Sequence, residues 1–266
     1  MRPVELSAFV HELATVSGNA ILPFFRTAIG AENKSKSSVF DPVTEADKAG
    51  EAAMRQLIRR HFPAHGIIGE EFGSENANAE YTWVLDPIDG TRSFMCGLPL
   101  WGTLICLQRN GHPVHGLMHQ PFTRERFFGD GEVATWRSQA GGQGMVERKL
   151  RVRACAALKD VVLMTTSPQA FPEGTLEPYR RVEQMVRLAR YGSDCYAYCM
   201  LAAGQIDLVI EAGLHAYDVA ALVPIVTGAG GIMTTWDGED PAKGGSIIAA
   251  GDKRIHAAAM ALLRQA

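Results

Sequence analysis

The chain has 266 residues, 47% of them hydrophobic and 21% charged, with a net charge of −3. That length buries one large core, or two sub-domains sharing one, and the acidic balance excludes the broad basic field that nucleic acid or an anionic membrane would need. The five cysteines (Cys96, Cys106, Cys155, Cys195 and Cys199) have no framework spacing, which argues against a disulfide scaffold and for a reducing cytoplasmic setting, and no stretch approaches the ~20 apolar residues of a membrane span.

Leu6, Phe9, Val10, Leu13, Val16 and Ala20 recur at helical spacing, so the chain opens on an amphipathic helix. Glu5 and Glu12 interrupt its apolar run, so it does not read as an export signal. Pro23 ends or kinks it. Residues 34–42 are polar and charged and read as a mobile loop. A second helix is expected from Glu45 to Arg60, with Ala53, Met54, Leu57 and Ile58 on its apolar face. Trp83-Val84-Leu85 is a short buried strand that runs into Asp86-Pro87. Thr103 to Gln108 and Val114 to Met118 flank Asn110-Gly111, a strong hairpin signal, and a third strand at Arg126 to Phe128 would extend an antiparallel meander. Residues 129–144 are Gly-rich and irregular, and divide an N-terminal α+β sub-domain (1–145) from a C-terminal α/β sub-domain (146–266). In the second half, strands at Val161 to Thr165, Ile206 to Ile210, Gly231 to Thr234 and Ser246 to Ala250 alternate with helices at Leu176 to Ala189, Cys195 to Ala203, Asp218 to Thr227 and Lys253 to Arg264. The fold class is α/β.

The densest chemical signal is Asp86-Pro87-Ile88-Asp89-Gly90-Thr91. Two carboxylates three residues apart stand where a strand ends, and Pro87 and Gly90 force a turn that lets them converge. Hard cations such as Mg²⁺ want carboxylate and carbonyl oxygens at about 2.0–2.1 Å, and the Ile88 carbonyl could join them. The amides of Gly90, Thr91 and Arg92 follow and could cradle phosphate oxygens. Taken alone, the segment also reads as an ordinary surface turn. Glu70 and Glu71 follow the apolar Ile67-Ile68, so they mark another strand end bearing carboxylates. Thr44 and Asp47 have the spacing of a helix capping box, which leaves room for Asp47 to hold a water as well. Asp218 starts an apolar helix, where the macrodipole favours an acid.

Other patterns promise less. His112, His115 and His119 lie on the second hairpin strand, where 112 and 115 point to opposite faces, so they read as strand histidines rather than a zinc set. Cys195 and Cys199 share a helix face and read as buried thiols. Gly228 to Gly231 follows a helix and precedes a strand, the wrong order for a dinucleotide loop.

With these residues in view, the sequence resembles the inositol monophosphatase superfamily. The motifs are VTEAD at 43–47, GEE at 69–71, WVLDPIDGT at 83–91 and YDVAALVPIVTGAGG at 217–231, in the family's order and spacing across essentially the whole chain. The segments at 90–107, 116–129, 164–171 and 191–198 resemble its histidinol-phosphate phosphatase branch. Tyr217 stands where an inositol phosphatase usually has Trp, and Thr227-Gly228 where it usually has Glu-Ala. The resemblance implies a layered αβαβα fold, a homodimer, and two or three Mg²⁺ per subunit. Glu70, Asp86 and the Ile88 carbonyl would hold one ion; Asp86, Asp89 and Asp218 a second; Glu70 and water a weaker third. Thr91 with Asp47 would polarise the attacking water. Metal ions in such a pair clamp the phosphoryl oxygens and activate water, so no protein nucleophile is needed.

The implied reaction is hydrolysis of a small phosphomonoester, histidinol phosphate first, with inositol phosphate or another sugar phosphate as the alternative. Histidinol phosphate brings an ammonium and an imidazole, and two acids are candidates to meet them. Glu211 closes an apolar strand seven residues before Asp218, which places it at the rim of the site or on a surface loop. Asp194 precedes a helix, as an N-cap or, by the resemblance, at the substrate's organic part. A non-catalytic role with an RNA or transcription partner conflicts with the complete carboxylate set and the acidic charge.

Overall fold

The computed structural model describes residues 3–27, 31–33, 42–139 and 144–265. Residues 34–41 of the expected loop lie outside the described residues. The chain opens with helix α1 (Pro3–Ile21), which gives way to a short 3₁₀ turn holding Pro23. Strands β1 (Ala31–Asn33) and β2 (Pro42–Thr44) pair antiparallel, and helix α2 (Glu45–His61) starts at once. There follow β3 (Gly66–Gly69), β4 (Gly73–Glu75), β5 (Tyr81–Asp89), the one-turn helix α3 (Thr91–Met95), β6 (Gly102–Arg109), β7 (His112–Gln120), β8 (Glu125–Gly129), β9 (Ala134–Ser138) and β10 (Val146–Lys149). Strand β11 (Val162–Thr165), α4 (Leu176–Glu183), β12 (Leu188–Tyr191), α5 (Asp194–Ala202), β13 (Leu208–His215), α6 (Ala216–Val219), α7 (Leu222–Gly228), β14 (Ile232–Thr235), β15 (Gly244–Ala250) and α8 (Lys253–Leu263) complete the chain.

Two sheets result. One has eight strands in the order β10-β9-β8-β7-β6-β5-β3-β4, the other five in the order β12-β11-β13-β15-β14. The hairpin at Asn110-Gly111 forms with both residues left-handed (φ 51° and 81°), as a tight turn between twisted strands requires. Strand alternation then sorts the core. Trp83, Leu85, Ile105 and Leu107 face one way, and α1 and α2 cover them with Val10, Leu13, Met54 and Ile58. Val84, Leu104 and Cys106 face the other way, against Ala197, Leu201, Ile225 and, beyond them, Val209 and Ala249 of the second sheet. Leu163, Leu208 and Ile248 on that sheet's far face pack under Tyr179 and Val182 of α4 and Ile255 and Met260 of α8. The layers are therefore αβαβα, with α5, α6 and α7 in the middle. That middle layer sits close: a Cβ on Gly116 of β7 would stand 1.9 Å from the Ala221 carbonyl oxygen, and one on Gly129 of β8 2.2 Å from that of Pro224.

Four expectations change. The irregular stretch at 129–144 contains β9, and β10 extends the first sheet past the expected division at 145. The expected helix Leu176 to Ala189 stops at Glu183, and Leu188–Tyr191 becomes an edge strand parallel to β11. The expected helix Asp218 to Thr227 is two short helices, α6 and α7. The strand at Trp83 does not stop at Leu85; it runs on to Asp89, with its register to β6 shifted between Asp86 and Asp89.

Candidate metal and active site

That shift builds the site. Asp86 follows Val84 on the face turned to the middle layer, and the irregularity after it absorbs Pro87, which cannot donate to a ladder. Thr103 Oγ1 donates to the Pro87 carbonyl at 2.8 Å and braces the bend. Gly90 then turns left-handed (φ 88°) as the cap of α3. A Cβ there would meet the Leu100 carbonyl oxygen at 2.9 Å and Asp194 Oδ2 at 3.2 Å, so the turn needs glycine twice over. Glu70 comes from the end of β3, which runs parallel to β5, and its amide donates to the Leu85 carbonyl at 3.2 Å. Asp218 comes from α6 at the end of β13, and Asp194 from the start of α5.

These segments enclose a cleft of about 150 Å³ lined by Glu70, Asp86, Ile88, Asp89, Gly90, Thr91, Arg92, Asp194 and Asp218. Oxygens of Asp86, Asp89 and Asp218 lie within 4.8 Å of one another, and among the described residues this is the one acidic or His/Cys group so placed. Each of these carboxylates is moored to a main-chain amide. Asp86 Oδ1 accepts from Ile88 at 2.9 Å, Asp89 Oδ2 from Cys195 at 2.6 Å, and Asp218 Oδ2 from His215 at 2.6 Å. Asp86 is 1% exposed. Burial, then the charges of Glu70, Asp89 and Asp218, push its carboxyl well above the usual range. Burial, Asp194 and Asp218 do the same to Asp89. Carboxylates so crowded cannot all ionise on their own, and Arg92 is the one basic side chain lining the cleft among the described residues. Hard oxygen donors, mutual repulsion and deep burial are the conditions a divalent cation such as Mg²⁺ relieves.

Asp47 does not line this cleft. It is fully buried in the first turn of α2, where its Oδ2 accepts from the Thr44 amide at 2.8 Å and the Thr44 hydroxyl at 2.5 Å. The capping box is therefore formed. Its turn is near the site nonetheless: α3 packs on β2, and Ala46, Ile88 and Phe94 share one apolar cluster. Thr91 Oγ1 donates to the Ile88 carbonyl at 3.0 Å. Glu211 stands neither at the rim nor on a surface loop. It is 3% exposed within β13, and its carboxylate accepts from Thr165 Oγ1 at 3.1 Å, Thr166 N at 2.5 Å and Thr166 Oγ1 at 2.9 Å. Burial raises its pKa to about 8. Asp194 does line the cleft. It is the first residue of α5 rather than its N-cap, in a left-handed conformation (φ 42°) that a non-glycine residue adopts only under constraint. Its pKa is raised to about 6, burial outweighing the nearby Arg92 charge. Thr166, whose hydroxyl donates to Glu211, also stands beside Asp194, so Glu211 lies one side chain behind the cleft.

The other patterns are structural. His119 is buried with Nδ1 3.1 Å from the Glu125 carbonyl oxygen, and His115 stacks on Phe128. Cys195 and Cys199 are buried, and burial pushes both thiols up; none of the five cysteines is in a disulfide. No helix among the described residues is long and apolar enough to cross a membrane. Sequence reasoning missed Glu51, a fully buried carboxylate of α2 that holds the backbone after Glu70. Its one signal was an acid on the flank of an otherwise apolar helix face.

The inositol monophosphatase family model matches residues 3–266. The bifunctional phosphatase IMPL2 of the Arabidopsis thaliana chloroplast is 41% identical, over 96% of this chain and 73% of that one. A histidinol-phosphatase of Mycobacterium tuberculosis is 34% identical, over 78% of this chain and 79% of its own. The solved structure of an inositol monophosphatase from Zymomonas mobilis superposes with a TM-score of 0.84 at 37% identity, covering 100% of both chains. With the sheet order, the carboxylate cleft and the match over the whole described length in agreement, the chain belongs to the inositol monophosphatase family.

Proposed function

We propose that this family phosphatase hydrolyses histidinol phosphate to histidinol and phosphate, in a Mg²⁺-dependent reaction. The observation that carries the choice of substrate is Asp194, an additional carboxylate set into the cleft beside Asp89 and backed through Thr166 by Glu211. It offers an acceptor to the ammonium of an amino alcohol, which an inositol ring lacks.

Glu70, Asp86, Asp89, Asp218 and the Ile88 carbonyl are the groups that would hold Mg²⁺. The bound ions would supply Lewis-acid polarisation of the phosphoryl oxygens and a more acidic water. The chain's own part is positioning. Asp86 and Asp89 are fixed by Ile88 and Cys195 amides, so little reorganisation is needed as charge develops. Thr91 and Asp47, whose helices contribute Phe94 and Ala46 to one apolar cluster, are assigned to orient the attacking water, with Asp47 drawing its proton. The Gly90 to Arg92 turn presents amides and a guanidinium to the phosphate. Asp194 takes the ammonium end and so sets the leaving group in line. The homologous histidinol-phosphatase supports this reading. The whole-chain match to a structure named for inositol monophosphatase favours a second one, inositol phosphate. We further propose two of these chains per assembly.

The test is kcat/KM for histidinol phosphate, inositol 1-phosphate and an aryl phosphate, on the parent and on Asp194→Asn, with and without Mg²⁺. A charge-assisted hydrogen bond of about 1.5–3 kcal/mol implies a loss of roughly 10- to 150-fold on histidinol phosphate alone. An equal loss on all three substrates would return Asp194 to supporting the scaffold, and a parent preference for inositol phosphate would install the second reading.

A further inference from the structure

Glu51 does not line the cleft, yet it is fully buried in α2. A buried carboxylate is costly unless both oxygens find donors. Here Oε2 accepts the Glu71 amide at 2.7 Å, and Oε1 accepts the Phe72 amide at 3.2 Å and Arg55 Nε at 2.7 Å. Arg55, itself 4% exposed, donates through Nη2 to the Gly73 carbonyl. The pair thus grips three successive residues, 71 to 73. On the other side, the Glu70 amide is fixed to the Leu85 carbonyl. Gly69 makes the approach feasible: a Cβ there would stand 2.0 Å from Glu51 Oε1. Glu70 therefore sits between two anchors, and it lines the same cleft as Asp86.

Fold stability alone gives no reason for this arrangement. Apolar side chains at positions 51 and 55 together would remove both charges, and replacing a buried ion pair by well-packed apolar residues is often neutral or stabilising. What the charge adds is a fixed direction for the peptide groups it binds. We propose that Glu51 is a positioning residue: through the Glu71 and Phe72 amides it holds Glu70 toward Asp86 and so sets the protein's affinity for Mg²⁺. This rests on the reading of Glu70 as a Mg²⁺ ligand.

The experiment measures Mn²⁺ binding by electron paramagnetic resonance, with Mg²⁺ as competitor, on the full chain carrying Glu51→Gln or Glu70→Gln, together with the melting temperature of each. Groups behind a metal ligand are typically worth roughly 10- to 100-fold in metal affinity, and Glu51→Gln is expected to weaken binding by that range. Turnover should then recover as Mg²⁺ is raised. Weakened binding in Glu70→Gln, with parental binding in Glu51→Gln, overturns the proposal and leaves the ligand assignment standing. Parental binding in Glu70→Gln overturns the ligand assignment first. A lowered melting temperature with unchanged metal affinity makes Glu51 purely structural. Should Glu51→Gln fail to fold, the double variant Glu51→Met/Arg55→Leu removes both charges together and is read the same way. If neither folds, Glu51 holds the fold rather than Glu70, and the proposal falls.

Discussion

Asp47 and Asp218 occupy the same place in two unrelated stretches of chain. Each is the third residue of a helix, and each accepts the amide of the residue three positions earlier. The motif that starts the helix therefore also aims the carboxylate. Asp47→Asn keeps an acceptor for the Thr44 amide and removes the charge. With Asp47 as the base that draws a proton from water, kcat should fall by roughly 10²–10⁴ with little change in melting temperature. Asp86→Asn, by contrast, takes away the carboxylate that meets Glu70 on one side and Asp89 and Asp218 on the other. It should abolish phosphate release while leaving the circular dichroism spectrum unchanged. Steady-state kinetics and thermal melts on both variants check this. A loss in Asp47→Asn that appears only in stability would confine that residue to capping.

At the level of elements, the site depends on how near α6 and α7 lie to the first sheet. Gly116 and Gly129 permit that approach, since backbone atoms fill the space where a side chain would stand. Gly116→Ala should therefore cost about 1–3 kcal/mol or more, measured by urea denaturation. Because α6 carries Asp218 and leads directly into α7, the same variant should also bind Mg²⁺ more weakly. Unchanged stability would mean that the layers separate without strain. This close approach was not legible in the sequence, since a glycine in a strand has the same local meaning whatever lies above it. The periodic helices, the Asn110-Gly111 hairpin and the Asp86 turn were legible, because their signals are local. The end of α4 was not: Leu188 to Tyr191 is extended through parallel pairing with β11, a contact across sequence distance. Nor was β9, whose five residues sit among turn-forming glycines. Pro87 suggested a strand end, whereas a register shift carries the strand through it. Glu211 was misplaced because strand length alone does not show which residues cover its end.

For the molecule as a whole, the cleft couples folding to protons and metal. Burial and repulsion raise the proton affinities of Asp86 and Asp89 above those of an unfolded chain. Without metal, the native state therefore binds more protons than the unfolded one between the unfolded and folded pKa values, and stability falls as pH rises through that window. Mg²⁺ displaces those protons. The gain in melting temperature from Mg²⁺ over a chelator should accordingly grow as pH rises above the unfolded carboxylate range, as scanning calorimetry at each pH would show. A gain independent of pH would mean that no protons leave on binding. The mooring of the carboxylates has a spectroscopic consequence. The amides of Thr44, Ile88, Cys195 and His215 each donate to one of the four acids, Asp47, Asp86, Asp89 and Asp218. Above the pH at which Asp86 and Asp89 have lost their protons, a cation that draws electron density from a carboxylate weakens the bond it accepts. In a ¹H–¹⁵N correlation spectrum of the labelled protein, the last three amide protons should move upfield as Mg²⁺ is added, while Thr44, tied to the acid proposed to hold water rather than metal, should stay nearly still. Four resonances would then map which acids the ions occupy, with no substrate present.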